Sequence, residues 1–119
     1  YLYFVKFTDL NGKFSPSDAF IFCEENGCSI NDGWLETSCD SAIYPDVPGS
    51  YHGKLAGFSF ADGHAEVHRW LRPALPGFMT QYYYAGASKH NIYPTAAKFD
   101  QDWNWLVQHT SVPGVPGTQ

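Results

Sequence analysis

The chain has 119 residues, a hydrophobic fraction of 44% and a charged fraction of only 16%, against roughly 25% charged in an ordinary globular protein. Aromatics reach 18%, and Gly and Pro contribute 11 and 8 residues. That excludes a coiled coil or helical bundle and argues for one folded, turn-rich domain. Seven Lys and Arg face twelve Asp and Glu, for a net charge of −5. No basic run exists, so a phosphate-tracking nucleic-acid surface is excluded, as is electrostatic binding to an anionic bilayer.

In chain order, residues 1–8 (YLYFVKFT) predict a strand by aromatic and β-branched content, ended by a turn at Asp9-Leu10-Asn11-Gly12. Ser15-Pro16-Ser17-Asp18 is a second break. Residues 19–24 are a continuous apolar run, the pattern of a strand buried on both faces. Residues 40–53 carry Pro45, Pro48, Gly49 and Gly53 and predict an irregular surface loop.

Lys54 to Trp70 is the clearest signal: Asp62-Gly63 joins two strand-like runs, a hairpin pattern. A two-residue loop pairs Phe60 with Ala65, Phe58 with Val67 and Ala56 with Arg69. It also pairs Ser59 with Glu66, Gly57 with His68 and Leu55 with Trp70. Phe58, Phe60, Ala65 and Val67 then face the core, and Ser59, His64, Glu66 and His68 face solvent.

Residues 71–79 and 86–98 predict loops, and Met79–Ala85, with Tyr82, Tyr83 and Tyr84, a further strand. Trp103, Leu106 and Val107 lie at helical spacing behind a cap at Asp100. The Pro- and Gly-containing tail, 112–119, predicts mobility, leaving residues 1–111 as the folded unit. The fold class expected is therefore α+β, mostly β. It comprises an antiparallel sheet with a central hairpin at about 54–70, long loops and a short C-terminal helix.

Four constellations bear on chemistry. His64-x-Glu66-x-His68 lies on one strand face, but its ends stand about 13 Å apart at 3.3 Å per residue, too wide for one zinc ion. Its ordinary reading is a solvated polar face. The acidic residues Glu24, Glu25, Asp32, Asp40, Asp46 and Asp62 have the oxygen chemistry calcium prefers, with Asn26, Ser29 and Asn31 nearby. Nucleophilic catalysis has no support, since neither a Gly-x-Ser-x-Gly elbow nor a catalytic Cys signature occurs. The chain is therefore expected not to be an enzyme. Finally, Trp34, Tyr82–Tyr84, Tyr93, Trp103 and Trp105 have rings that stack on sugars or fill a core. Of the three Cys, the turn-rich sequence around Asn31-Asp32-Gly33 favours a Cys28–Cys39 bridge, and Cys23 in its apolar run is expected to be a packed thiol.

The segment Tyr51-His52-Gly53-Lys54-Leu55-Ala56-Gly57-Phe58-Ser59-Phe60-Ala61-Asp62-Gly63-His64 contains a His, nine residues and then Asp-Gly. It resembles the H-x9-DG signature of prepilin-type processing-associated proteins, type IV pilin-like or pseudopilin proteins of Planctomycetes, Verrucomicrobia and Lentisphaerae. The upstream Ser15-Pro16-Ser17-Asp18-Ala19-Phe20-Ile21-Phe22, then Glu24-Glu25 and Ser29-Ile30-Asn31-Asp32-Gly33-Trp34, is similar to the same family. So is the closing Gln101-Asp102-Trp103-Asn104-Trp105-Leu106. The likeness runs from about residue 15 to 110.

The resemblance implies the C-terminal globular head of a pseudopilin, with His52, Asp62 and Gly63 as the signature. Such a head is a non-enzymatic structural subunit of a type II secretion-like or type IV pilus-like filament, at the cell envelope or outside the cell. Its partners are other pilin-like subunits, and it meets the membrane only through an N-terminal helix that this chain lacks. The start at Tyr1-Leu2-Tyr3-Phe4-Val5 accordingly reads as mid-protein sequence. By analogy with related heads, Glu24, Glu25, Asp32 and Asp62 are the candidate calcium (Ca2+) ligands. Cys23 and Cys28 stand where the family is not expected to carry cysteine. The rival class is a secreted carbohydrate-binding β module using exposed Trp and Tyr.

Overall fold

A computed structural model describes residues 4–27, 29–30, 32–40, 44–71 and 101–111. A 3-10 turn (Phe7–Leu10) precedes β1 (Phe20–Cys23), β2 (Leu55–Phe60), β3 (Ala65–Arg69) and helix α1 (Gln101–Thr110). The three strands form one antiparallel sheet in the order β1-β2-β3. The fold is thus α+β and mostly β. Among the described residues no helix is long and apolar enough to cross a membrane. The predicted strand at 79–85, the Asp100 cap and the tail lie outside the described residues, as do Tyr82–Tyr84 and Tyr93.

The hairpin forms, but with a three-residue loop. Phe60 N–H donates to the His64 carbonyl at 2.9 Å, and Gly63 N–H donates to the Phe60 carbonyl at 3.0 Å. A two-residue type I′ loop needs positive φ at both Asp62 and Gly63; only Gly63 has it, at +93°. The extra loop residue moves every partner on β3 by one: Ser59 faces Ala65, Phe58 faces Glu66, and Ala56 faces His68. A one-residue slip exchanges the faces of a strand. Val67 is therefore 63% exposed, while His68 turns inward beside Phe58 and Trp70. Local contacts favour the longer loop. Asp62 Oδ1 accepts the His64 N–H at 3.0 Å, and the His64 ring stacks on Phe60 at 4.4 Å. A Cβ at Gly63 meets nothing within 4 Å, so Gly63→Ala is expected to cost about 1–2 kcal/mol from backbone strain alone. Urea unfolding of the variant measures it.

Among the described residues, the apolar run predicted as doubly buried is instead an edge strand. β1 pairs Phe20 with Phe60, Phe22 with Ser59 and Cys23 with Phe58, with a bulge between Phe20 and Phe22. The bulge turns Phe20 and Cys23 toward the core and leaves Ile21 and Phe22 54% and 74% exposed. Of the N-terminal strand predicted over 1–8, the described residues 4–8 form no strand. Asp9 Oδ2 accepts the N–H groups of both Val5 and Lys6 at 3.1 Å, and this local bonding fixes a 3-10 turn against the β propensity of Phe4 to Thr8.

The main core joins Ala56, Phe58 and Phe60 of β2 to Trp70, to Tyr44 and Val47, and to the α1 stripe Trp103, Leu106 and Val107. The stripe matches its predicted helical spacing. A smaller cluster gathers Leu10, Phe14 and Ala19. The loop expected on the surface is buried from Val47 to Ser50. Burial demands partners for its polar backbone, and Val47 and Gly49 have them. Val47 accepts the Asn26 N–H at 2.8 Å, Gly49 donates to the Glu24 carbonyl at 2.6 Å, and the Trp70 indole N–H donates to the Gly49 carbonyl at 2.9 Å.

Candidate functional site

The three signature residues sit at the two ends of β2. His52 leaves the buried loop and brings Nε2 to 2.9 Å from Glu24 Oε1. The other oxygen, Oε2, accepts the Gly57 N–H of β2 at 2.9 Å. Glu24 therefore clasps the His52 loop and the central strand together. Beside it, the Tyr51 hydroxyl accepts the Gly27 N–H at 2.7 Å. At the far end Asp62 bonds both the amide and, at 2.5 Å, the Nδ1 of His64, and Gly63 supplies the positive φ.

Charge follows these bonds. The Gly57 amide first, and His52 second, hold the Glu24 carboxyl below its usual range against a desolvation that opposes them. The His64 amide and ring likewise lower Asp62, and Asp62 in turn raises His64. A depressed carboxyl adds stability that is full above its unfolded pKa and is lost as pH falls through the folded one. The Glu24 clasp should thus weaken as pH drops below the ordinary glutamate value of 4.5. Glu24→Gln should cost about 1 kcal/mol at neutral pH, after discounting a charged hydrogen bond for exposure. It should also flatten the acid limb of stability against pH, as read by urea midpoints from neutral to acid pH.

The four candidate calcium ligands do not gather. Glu24 is engaged as above, and Asp62 closes its own turn. Glu25 Oε1 accepts the Ser29 hydroxyl at 2.9 Å, and Asp32 Oδ1 accepts the Trp34 N–H at 2.8 Å. Burial, followed by the charges of Asp46 and Asp32, raises the Glu25 carboxyl, so these three share one field. Asp46, in turn, spends Oδ2 on the Glu36 N–H at 2.6 Å. Calcium takes six to eight oxygens. Among the described residues no three His, Cys, Asp or Glu side chains converge on one point.

Cys39 is a thiol half-buried against the core; Cys28, the partner expected for it, lies outside the described residues. Burial and then Asp40 raise the Cys39 thiol. Cys23 is the packed thiol anticipated, pushed up to about 12 by burial first and by Glu25 and Glu24 after it.

Two features escape sequence reasoning. The His68 ring stacks on Trp105 at 3.7 Å, and His109 stacks on Trp105 at 4.1 Å, forming an imidazole–indole–imidazole sandwich that joins β3 to α1. Helical spacing places His109 four residues after Trp105, but His68 joins them only through the shifted register. The second feature is a sheet face that the described residues leave uncovered, a shallow hollow lined by Phe22, Glu24, Gly57, Ser59, Ala65 and Val67.

No protein-family model matches the chain, and no curated protein or solved structure shows significant similarity to it.

Proposed function

We propose that this chain is the globular head of a type IV pilin-like, or pseudopilin, subunit. It acts by subunit contact in a type II secretion-like or type IV pilus-like filament of the cell envelope. One observation carries the proposal: the H-x9-DG residues tie a loop and a hairpin together around β2, beside a sheet face that keeps Phe22 and Val67 open. Signature residues spent on such ties serve shape, and a contiguous apolar face beside them suits contact with other subunits. The membrane link in this reading is an N-terminal apolar helix upstream of Tyr1.

The test is the coding sequence upstream of Tyr1, followed by expression of the complete chain with a prepilin peptidase. A short leader, a processing site and roughly 20 apolar residues, with leader removal on co-expression, support the proposal. A cleavable signal peptide joined directly to this domain overturns it.

A second reading, a carbohydrate-binding module, draws on Trp34, whose side chain is 79% exposed. An open indole offers the apolar face a sugar ring needs. Glycan-dependent changes in Trp fluorescence that disappear in Trp34→Ala would move this reading to first place.

A further inference from the structure

The sequence contains two Asn-Gly pairs, Asn11-Gly12 and Asn26-Gly27. Asn-Gly is the dipeptide in which the following backbone nitrogen most easily reaches the Asn side-chain carbonyl carbon, because Gly carries no side chain to block it. The fold treats the two pairs in opposite ways.

Asn26 is fully buried. Its N–H donates to the Val47 carbonyl at 2.8 Å, and its carbonyl accepts the Ser29 N–H at 3.0 Å. The nitrogen that would attack, that of Gly27, donates its proton to the Tyr51 hydroxyl at 2.7 Å. Rotation there breaks these hydrogen bonds at once, within a fully buried side chain's surroundings. Asn11 and Gly12 are both exposed, in the turn that closes the 3-10 segment. Gly12 sits at φ +67° with open space around its Cα, and its N–H donates to nothing among the described residues. The Asn11 backbone, at ψ 117°, must rotate for attack; what resists there is a short turn exposed at Asn11 and Gly12, in which the Asn11 N–H donates to the Thr8 carbonyl at 3.3 Å and the Lys13 and Phe14 N–H groups donate to the Leu10 carbonyl.

We propose that Asn11 is a site of spontaneous covalent modification, deamidating through a cyclic imide while Asn26 is held intact by the fold. The Gly12 nitrogen gives its proton to solvent base and bonds to Asn11 Cγ. The Cγ–Nδ2 bond breaks, and the side-chain nitrogen leaves as ammonia. Water then opens the five-membered imide at either carbonyl, giving aspartate or isoaspartate. The sum is one asparagine and one water converted to one carboxylate and one ammonium ion, the ammonia taking up the proton that the new acid releases, with no oxidant or reductant. The product is one charge more negative than the starting −5. In the isoaspartate form it adds a methylene to the main chain beside Lys13 and Phe14, whose N–H groups both bond to the Leu10 carbonyl. The change therefore falls at the edge of the Leu10–Phe14–Ala19 cluster.

The test incubates the purified chain at mildly alkaline pH, folded and in concentrated urea. Conversion at both sites is followed by peptide mapping, with electron-transfer fragmentation to separate isoaspartate from aspartate. In the folded chain Asn11 is expected to convert about tenfold or more faster than Asn26, because Asn26 must wait for local opening. In urea the two rates are expected to approach each other. Equal rates in the folded chain, or faster conversion of Asn26, overturn the proposal. So does a preference for Asn11 that persists undiminished in urea, since it would owe nothing to the fold.

Discussion

Phe58→Ala is expected to lower the unfolding free energy by about 4 kcal/mol, within the range for emptying a Phe site in a core. Phe58 is 2% exposed. Its ring meets Trp105 at 4.9 Å, Phe20 at 5.4 Å and Trp70 at 6.2 Å, each edge to face. Such pairs add about 0.5–1.5 kcal/mol each beyond the area they bury, which places the loss in the upper part of the range. A domain of this size is stable by about 5–15 kcal/mol in all, so the variant should lie near the edge of folding in water. The urea midpoint measures the loss. Val67→Ala is the control: its side chain is 63% exposed on the open face, and the change should stay within about 0.5 kcal/mol. If Val67→Ala costs as much as Phe58→Ala, the hairpin has the two-residue loop and Val67 faces the core beside Phe58.

That comparison also marks where sequence reasoning stopped. The α1 stripe is legible because Trp103, Leu106 and Val107 carry their own period. The hairpin is legible because Asp62-Gly63 interrupts two strand-like runs. Its register is not, since Asp-Gly suits a two-residue or a three-residue loop and the choice rests on the Phe60–His64 stack. Continuous apolar character at 19–23 does not distinguish a central strand from an edge strand whose bulge turns Ile21 and Phe22 outward. Pro and Gly between residues 45 and 53 signal irregular backbone correctly, but they carry no information about burial, which here depends on hydrogen bonds to Glu24, Asn26 and Trp70. His52 emerges from a spacing. Its partner Glu24 stands 28 residues away in sequence, and only the pairing of β1 with β2 brings the two together.

Asp102→Ala should cost about 3 kcal/mol and loosen α1 from the sheet. Asp102 is wholly buried in the first turn of the helix, where a negative charge also meets the positive end of the helix dipole. Both of its carboxylate oxygens lie 3.0 Å from the Leu71 N–H, and the His68 Nε2 stands 3.9 Å from Oδ1. The carboxylate thus ties the strand end after Trp70 to the helix start before Trp103. A charge-assisted hydrogen bond contributes about 1.5–3 kcal/mol, and the dipole about 0.3–1 kcal/mol more. Burial of the charge opposes both, so shape and charge must be separated. Asp102→Asn keeps the volume and one acceptor for Leu71, and should cost about 1 kcal/mol by the net worth of the lost charge. Detachment of α1 would expose Trp103 and Trp105 together, so Asp102→Ala should also shift tryptophan emission to longer wavelength below the unfolding midpoint, and Asp102→Asn should not. Equal losses for the two variants would show that Asp102 acts by its charge alone. Losses near zero for both would show that the aromatic packing of Trp105 on His68 holds the helix without the carboxylate.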